Sequence, residues 1–239
     1  MFFIKTDRCK VHSIEYYYVC PECVQPYLIN TPFSTLEEVR EFQKENAKKV
    51  SLIDKNTEYN LIGLIKIRFL EGLAYSGLLI YNISDNEIVN ISFKSFKPIF
   101  TKYLSSILFL NQTDVYMDLI CDSKIVPDCY IVNSSGQIHP FLYGCACDFG
   151  LKINIPVIGY TKKLLFGELK ETKKNIKFSE IYYQDRILGY AIPKIGSKRY
   201  FYISVGNNIS LKSAMDVFLK LNLKMMRILK QKLNSFIRS

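Results

Sequence analysis

Apolar and polar positions follow two different periods along this chain, and the switches between them mark its elements. "STLEEVREFQKENAKKV" (34–50) spaces Val39, Phe42 and Val50 near one side of a helix, and Ser34 stands three residues before Glu37 in the pattern of a capping box. A helix is predicted there. "YNLIGLIKIRFL", "GLAYSGLLIYNI" and "EIVNISFKSF" are apolar or alternating runs separated by Glu71 and by "SDN", which predicts a three-strand meander. "PDCYIVN" is short and almost wholly apolar, as a strand buried on both faces is. "HPFLYGCACDFGLKINI" then predicts a helix starting near Pro140, and "PVIGYTKKLL" a further strand. Strand, helix and strand make a right-handed parallel crossover. "ILGYAIPKIGSKRYFYISVG" reads as a hairpin, and "SLKSAMDVFLKLNLKMMRILKQKLNSFI" as one or two amphipathic helices. The fold class is therefore α/β, a mixed sheet flanked by helices.

Composition narrows the setting. The 239 residues are 49% hydrophobic and 23% charged, enough to bury one full core without staples. No apolar run approaches the ~20 residues of a membrane span. "MFFIKTDRCK" has Lys5 and Asp7 where a signal peptide needs an apolar run, so a soluble, intracellular chain with no membrane partner is expected. Seven cysteines at irregular places then suggest free thiols or a metal ahead of a disulfide framework.

The net charge of +10 is concentrated at one end. After residue 197 there are nine Lys and Arg against the single acid Asp216, or +8 in the last 42 residues. That segment is either a phosphate-binding face or a solvated helix face.

The motifs carry a resemblance. Pro127 and Asp128 lead a strand into a turn containing Gly136; His139 and Pro140 follow, then Gly144, Ala146 and Gly150, then "PVIGYTKK" with Lys162. This block, with "LEEVREFQKENAKKVSL" upstream and "YFYISVGN" downstream, resembles the endonuclease V family of the ribonuclease H-like fold. The resemblance runs from about residue 34 to about 220 and is weak between 94 and 126. It implies a nucleic-acid-cutting enzyme that uses Mg²⁺ or a similar cation held by carboxylates.

The chain departs from that family where the chemistry should be. The resemblance places the three carboxylate positions at Lys66, at Phe109 (or Leu108) and at Asn133, and a histidine position at Asn207. An ammonium, an apolar group and an amide cannot compensate a divalent cation. Asp54 or Asp148 could supply a substitute ligand. On the binding side the resemblance leaves Lys162 for a phosphate, Ser134, Gly136 and His139 at a turn approaching the backbone, and Phe100 as an apolar plug beside a flipped base. Lys66 beside Lys162 could hold a phosphate with no ion, or its stem could lie along the strand with its head in water.

Residues 1–33 fall outside the resemblance, and 34–239 form the endonuclease V-like domain. Cys9, His12, Cys20 and Cys23, spaced Cys-x2-His-x7-Cys-x2-Cys, are a ligand set of the kind tetrahedral zinc takes. The alternative is a pair of reduced thiols beside "SIEYYYVC", a strand added to the domain's edge. The expected function is DNA or RNA binding without hydrolysis. An active Mg²⁺-dependent endonuclease on inosine or deoxyinosine strands is the alternative. A third reading is a protein-interaction scaffold whose basic C-terminal helix meets an acidic partner.

Overall fold

The computed structural model describes residues 6–100, 102–104, 106–170, 178–194, 196–197 and 199–239. Lys198 of the basic segment lies outside the described residues. The chain opens with β1 (Asp7–Arg8), β2 (Glu15–Tyr16), α1 (Pro21–Leu28) and α2 (Leu36–Ala47). The meander follows as β3 (Leu61–Leu70), β4 (Leu73–Asn82) and β5 (Glu87–Phe96), then α3 (Phe109–Cys121), β6 (Cys129–Val132), α4 (Cys145–Ile153) and β7 (Val157–Thr161). The last part is β8 (Glu168–Leu169), β9 (Ser179–Tyr183), β10 (Arg186–Pro193), β11 (Tyr200–Asn207), α5 (Leu211–Lys220) and α6 (Lys224–Phe236).

Nine strands form one mixed sheet in the order β5-β4-β3-β6-β7-β11-β10-β9-β8. β6 pairs in parallel with β3 and with β7, so it is buried on both faces, which is why its sequence is an unbroken apolar run. The meander turns tightly at Glu71–Gly72, both left-handed, which lets the two long strands twist together.

Alternation along each strand sends its residues to two separate cores. Ile65 of β3, Leu78 and Ile80 of β4 and Tyr130 and Val132 of β6 pack beneath α1, α2, α3 and α4. Ile62 and Leu64, Leu79 and Tyr81, and Cys129 and Ile131 pack on the other face, beneath α5 and α6. The α5 and α6 helices are separate because the chain extends at Leu221, whose ψ is 127°.

Several sequence expectations shift. The cap of α2 is Thr35, not Ser34: its side chain accepts from Glu38 N at 3.2 Å, and Glu38 returns the contact to Ser34 N at 2.7 Å. Val50 joins the α5/α6 core rather than sharing a side with Val39 and Phe42. The helix expected from Pro140 starts at Cys145, because Leu142 is left-handed and Gly144 is extended, so no helical turn can include them. "SIEYYYVC" does not lengthen the main sheet: only Glu15–Tyr16 is strand, paired with Asp7–Arg8 in a two-stranded sheet of its own. α1, β8 and β9 were not foreseen. α1 drives Val24 and Leu28 into the same core as Leu36 and Val39.

Candidate nucleic-acid interface

The residues expected at the nucleic-acid site fall on both faces of the sheet, and of these only the cations come together. Lys66 stands two residues after Leu64, shares its face and so rises on the α6 side, opposite Gly77 of β4. A Cβ built on Gly77 would lie 3.0 Å from the Leu229 side chain, which places α6 directly over this level of the sheet. Arg68 donates to Asn234 Oδ1 at 3.0 Å, and Phe236 stacks on Phe93 at 5.4 Å, fixing the helix there.

Burial first, and then the charges of Lys162 and Lys230, hold the Lys66 ammonium below its usual pKa. Lys162, just past β7, is lowered by burial and then by Lys230, Lys194 and Arg199. Among the described residues none of these five cations has a carboxylate within salt-bridge distance. Lys230 and Arg199 belong to the basic C-terminal segment that the sequence marks; Lys194 lies just before it and was not singled out.

Phe109 is on the other face. It is 5% exposed and stacked on Phe42 at 5.7 Å with Tyr143 at its edge, so it does not share a site with Lys66. On α3 the residue near the end of β6 is Gln112. Its Oε1 accepts from Tyr116 at 3.4 Å, and the Tyr116 hydroxyl lies beside Ser134. The β3 residue on that face is Ile65, level with Val132. Asn133 donates from Nδ2 to Tyr160 O at 3.3 Å. Asn207 sits at the far end of β7, paired with Val157, where it accepts from Ser51 N and donates to Gly150 O. That is three residues, or about 10 Å, from the level of Asn133.

Neither substitute acid joins these positions. Asp54 receives Ser210 N, the Ser213 hydroxyl and the Tyr59 hydroxyl; partial burial opposes its charge, but those bonds hold its pKa down. It anchors the start of α5. Asp148 is buried, accepts from Tyr143 at 2.8 Å and pairs with Lys152 at 3.2 Å.

The residues expected to touch nucleic acid at the turn are mostly interior. Phe100 is 6% exposed and packs on Tyr27 of α1, whereas Tyr103 in the same segment is 71% exposed. Ser134 is buried against α3 and α4. Gly136 gives its N–H to Ser204 Oγ, and a Cβ there would lie 2.1 Å from Val205 O, so its amide is not open to a ligand. His139 uses both nitrogens: Nε2 bonds Ser106 O at 2.9 Å and Nδ1 accepts from Phe141 N at 3.3 Å. Burial pulls its pKa down to about 3, so it is a neutral structural pin. Gln43 donates to the same Ser106 carbonyl.

The Cys/His set does converge. Cys9, His12, Cys20 and Cys23 bring their ligand atoms within 4.8 Å of one another. His12 Nδ1 is 3.5 Å from Cys9 Sγ, 3.6 Å from Cys20 Sγ and 3.5 Å from Cys23 Sγ, with Cys9 and Cys23 at 3.6 Å. Ligands at zinc's bond lengths and tetrahedral angles stand about 3.5–3.8 Å apart, so the four fit. The backbone N–H groups of His12 and Val11 pull the Cys9 thiol down to about 6, toward the thiolate a metal binds.

Comparison with known proteins places this architecture. The endonuclease V of Streptomyces avermitilis superposes with a TM-score of 0.75 at 15% identity, over 85% of this chain and 93% of that one. The endonuclease V of Ciona intestinalis, solved with DNA containing an inosine, superposes with a TM-score of 0.72 at 17% identity, over 84% of this chain and 98% of that one. The sheet and its helices thus define a ribonuclease H-like protein. The Endonuclease V family profile matches residues 44–228, and the endonuclease V of Dictyoglomus turgidum is 30% identical over 189 residues, 79% of this chain and 82% of that protein. The chain belongs to the endonuclease V family. No described helix is long and apolar enough to cross a membrane.

Proposed function

We propose that this chain binds a DNA or RNA strand through its lysine-rich face and does not hydrolyse it. The supporting observation is what stands where carboxylates would hold a cation. β3 offers Lys66 on one face and Ile65 on the other, α3 offers Phe109 or Gln112, and the loop after β6 offers Asn133. None of these can balance a divalent ion that takes oxygen ligands. What the chain offers is fixed positive charge, which neutralises phosphates and releases their counterions. Tyr103, 71% exposed, is one aromatic open for contact with bases.

The test uses inosine-containing and ordinary strands, the first suggested by the Ciona relative, with and without Mg²⁺ or Mn²⁺. Binding should weaken steeply with salt, and no cation should stimulate cleavage. Turnover that survives repurification and disappears in Asp148→Asn or Asp54→Asn would establish the active alternative. A flat salt dependence would leave the scaffold reading, with α6 meeting an acidic protein.

We also assign zinc to Cys9, His12, Cys20 and Cys23. When bound it would supply a tetrahedral cross-link and no reaction chemistry, because all four positions are filled by the protein.

A further inference from the structure

Two half-buried lysines of the meander sit in opposite surroundings. Lys94 of β5 turns toward α3, where Asp122 and Asp118 each hold its amine at 2.9 Å and raise its pKa. Lys66 rises on the other face beside Gly77, over which the Leu229 and Phe93 side chains close, so apolar groups flank it on that side. Among the described residues no hydrogen bond or ion pair holds its amine. Its polar company is cationic. Lys162, two residues past Tyr160, and Arg199, two before Phe201, lie on the α5/α6 face with it. Lys194 N–H donates to Arg199 O at 2.9 Å, and Lys230 follows Leu229 on α6.

An amine attacks a carbonyl only through a free lone pair, and desolvation beside like charge is what frees it. Lys66 has both, and no acid to return the proton. The surrounding cations meanwhile offer a place for a strand's phosphates. An intact strand brings no carbonyl that an amine can attack in this way. A deoxyribose that has lost its base does, as the C1′ aldehyde, and it carries a phosphate on C3′, the position from which a leaving group departs once an imine has formed at C1′.

We propose that Lys66 is the nucleophile of a metal-free lyase step on abasic sites in DNA, an inference that rests on the nucleic-acid reading above. The Lys66 nitrogen adds to C1′ and water leaves, giving an iminium. The C2′ proton passes to water, the C2′–H electron pair becomes the C2′=C3′ double bond, and the C3′–O bond breaks with its pair going to the departing phosphate. That phosphate gains a second negative charge, which Lys162 and Lys230 offset. Water then adds to C1′, frees the amine and leaves an unsaturated aldehyde on the other fragment. The strand is cut by elimination, with no net consumption of water and no divalent ion.

The experiment incubates the full chain, with chelator present, with a single strand carrying one abasic site. Borohydride reduces the imine to a stable amine and so links protein to strand; the adduct should map to Lys66 by mass spectrometry. Without borohydride, cleavage should leave the unsaturated aldehyde rather than a 3′-hydroxyl. Lys66→Arg keeps the charge but forms no such imine, so adduct and cleavage should be lost, whereas Lys94→Arg should give both. A strand with tetrahydrofuran in place of the abasic sugar has no aldehyde, and both the parent and Lys66→Arg should bind it without cross-linking. Binding of that strand with no adduct on the aldehyde strand, an adduct mapped to another amine, or cleavage that needs Mg²⁺ and leaves a 3′-hydroxyl would overturn the lyase and leave the nucleic-acid face standing. Failure to bind either strand would remove both.

Discussion

Two corners of this molecule carry the marks of a metal site. The Cys/His loop has four ligand atoms within 4.8 Å of one another and lies at the surface, with little core of its own. The end of β6 is closely packed, with Val132 and Ser134 buried and main chain crowding Gly136, and among the described residues no set of carboxylates gathers there to bind an ion. On the reading proposed above, the first corner depends on its ligands to hold the loop together, whereas packing holds the shape of the second whatever side chains stand there.

The strongest way to break this comparison is to take the metal away. The purified protein should carry about one equivalent of zinc, and chelation or Cys20→Ser should release residues before Ser34 to rapid hydrogen exchange. Zinc supplies about 10–16 kcal/mol to isolated finger peptides at pH 7, and here α1 packing retains part of the order. Strands β3 to β11 should stay protected. Unchanged exchange at residues 9–23 in metal-free protein would show that the loop needs no ion.

A smaller effect probes the packed corner through pH. His139 is neutral in the fold with a pKa of about 3, against 6.5 when free, so between those values the unfolded chain binds a proton that the folded chain does not. Stability should therefore fall as pH drops from 6.5 toward 3, by on the order of 4–5 kcal/mol from this group, and level off below. His139→Gln keeps a donor for Ser106 and does not titrate, so its acid unfolding should begin at lower pH. An unmoved acid midpoint would show that burial of the imidazole is not what limits acid stability.

Smaller still are the cations. Lys66→Ala, Lys162→Ala and Lys230→Ala should each flatten the salt dependence of duplex binding by about one unit, roughly one phosphate contact apiece, with sequence preference unchanged. The smallest effect is expected at Lys224 and Arg227, exposed on α6 and absent from the charges that act on Lys66 and Lys162. Their joint replacement should alter affinity much less than Lys230→Ala does. An equal loss would extend the interface along the whole helix.

The parts legible in sequence were those with a short period or a fixed spacing. The meander, the doubly buried β6 and the Cys-x2-His-x7-Cys-x2-Cys set all declare themselves within a few neighbouring residues. What could not be read depended on single-residue choices or distant partners. A slip of one position in a strand exchanges its faces, which is the whole difference between Lys66 and Ile65. Phe109 and Gln112 differ by less than a helical turn in a segment where resemblance was weak. His139 is silenced by burial and pinned to Ser106, 33 residues away, and Phe100 is covered by Tyr27 from a helix that the sequence did not announce.

The loop after β6 has one more consequence. Gly136 lies so close to Val205 O, and Gly159 so close to Gly136 N, that a Cβ on either would approach within 2.1 and 2.5 Å. The backbone there is a mould cast by neighbouring main chain, and the side chains it displays are interchangeable inserts. Asn133→Asp and Gln112→Glu each exchange one amide for an isosteric acid without asking the mould to move. For a protein engineer this scaffold is a chassis on which acidity can be dialled in one atom at a time.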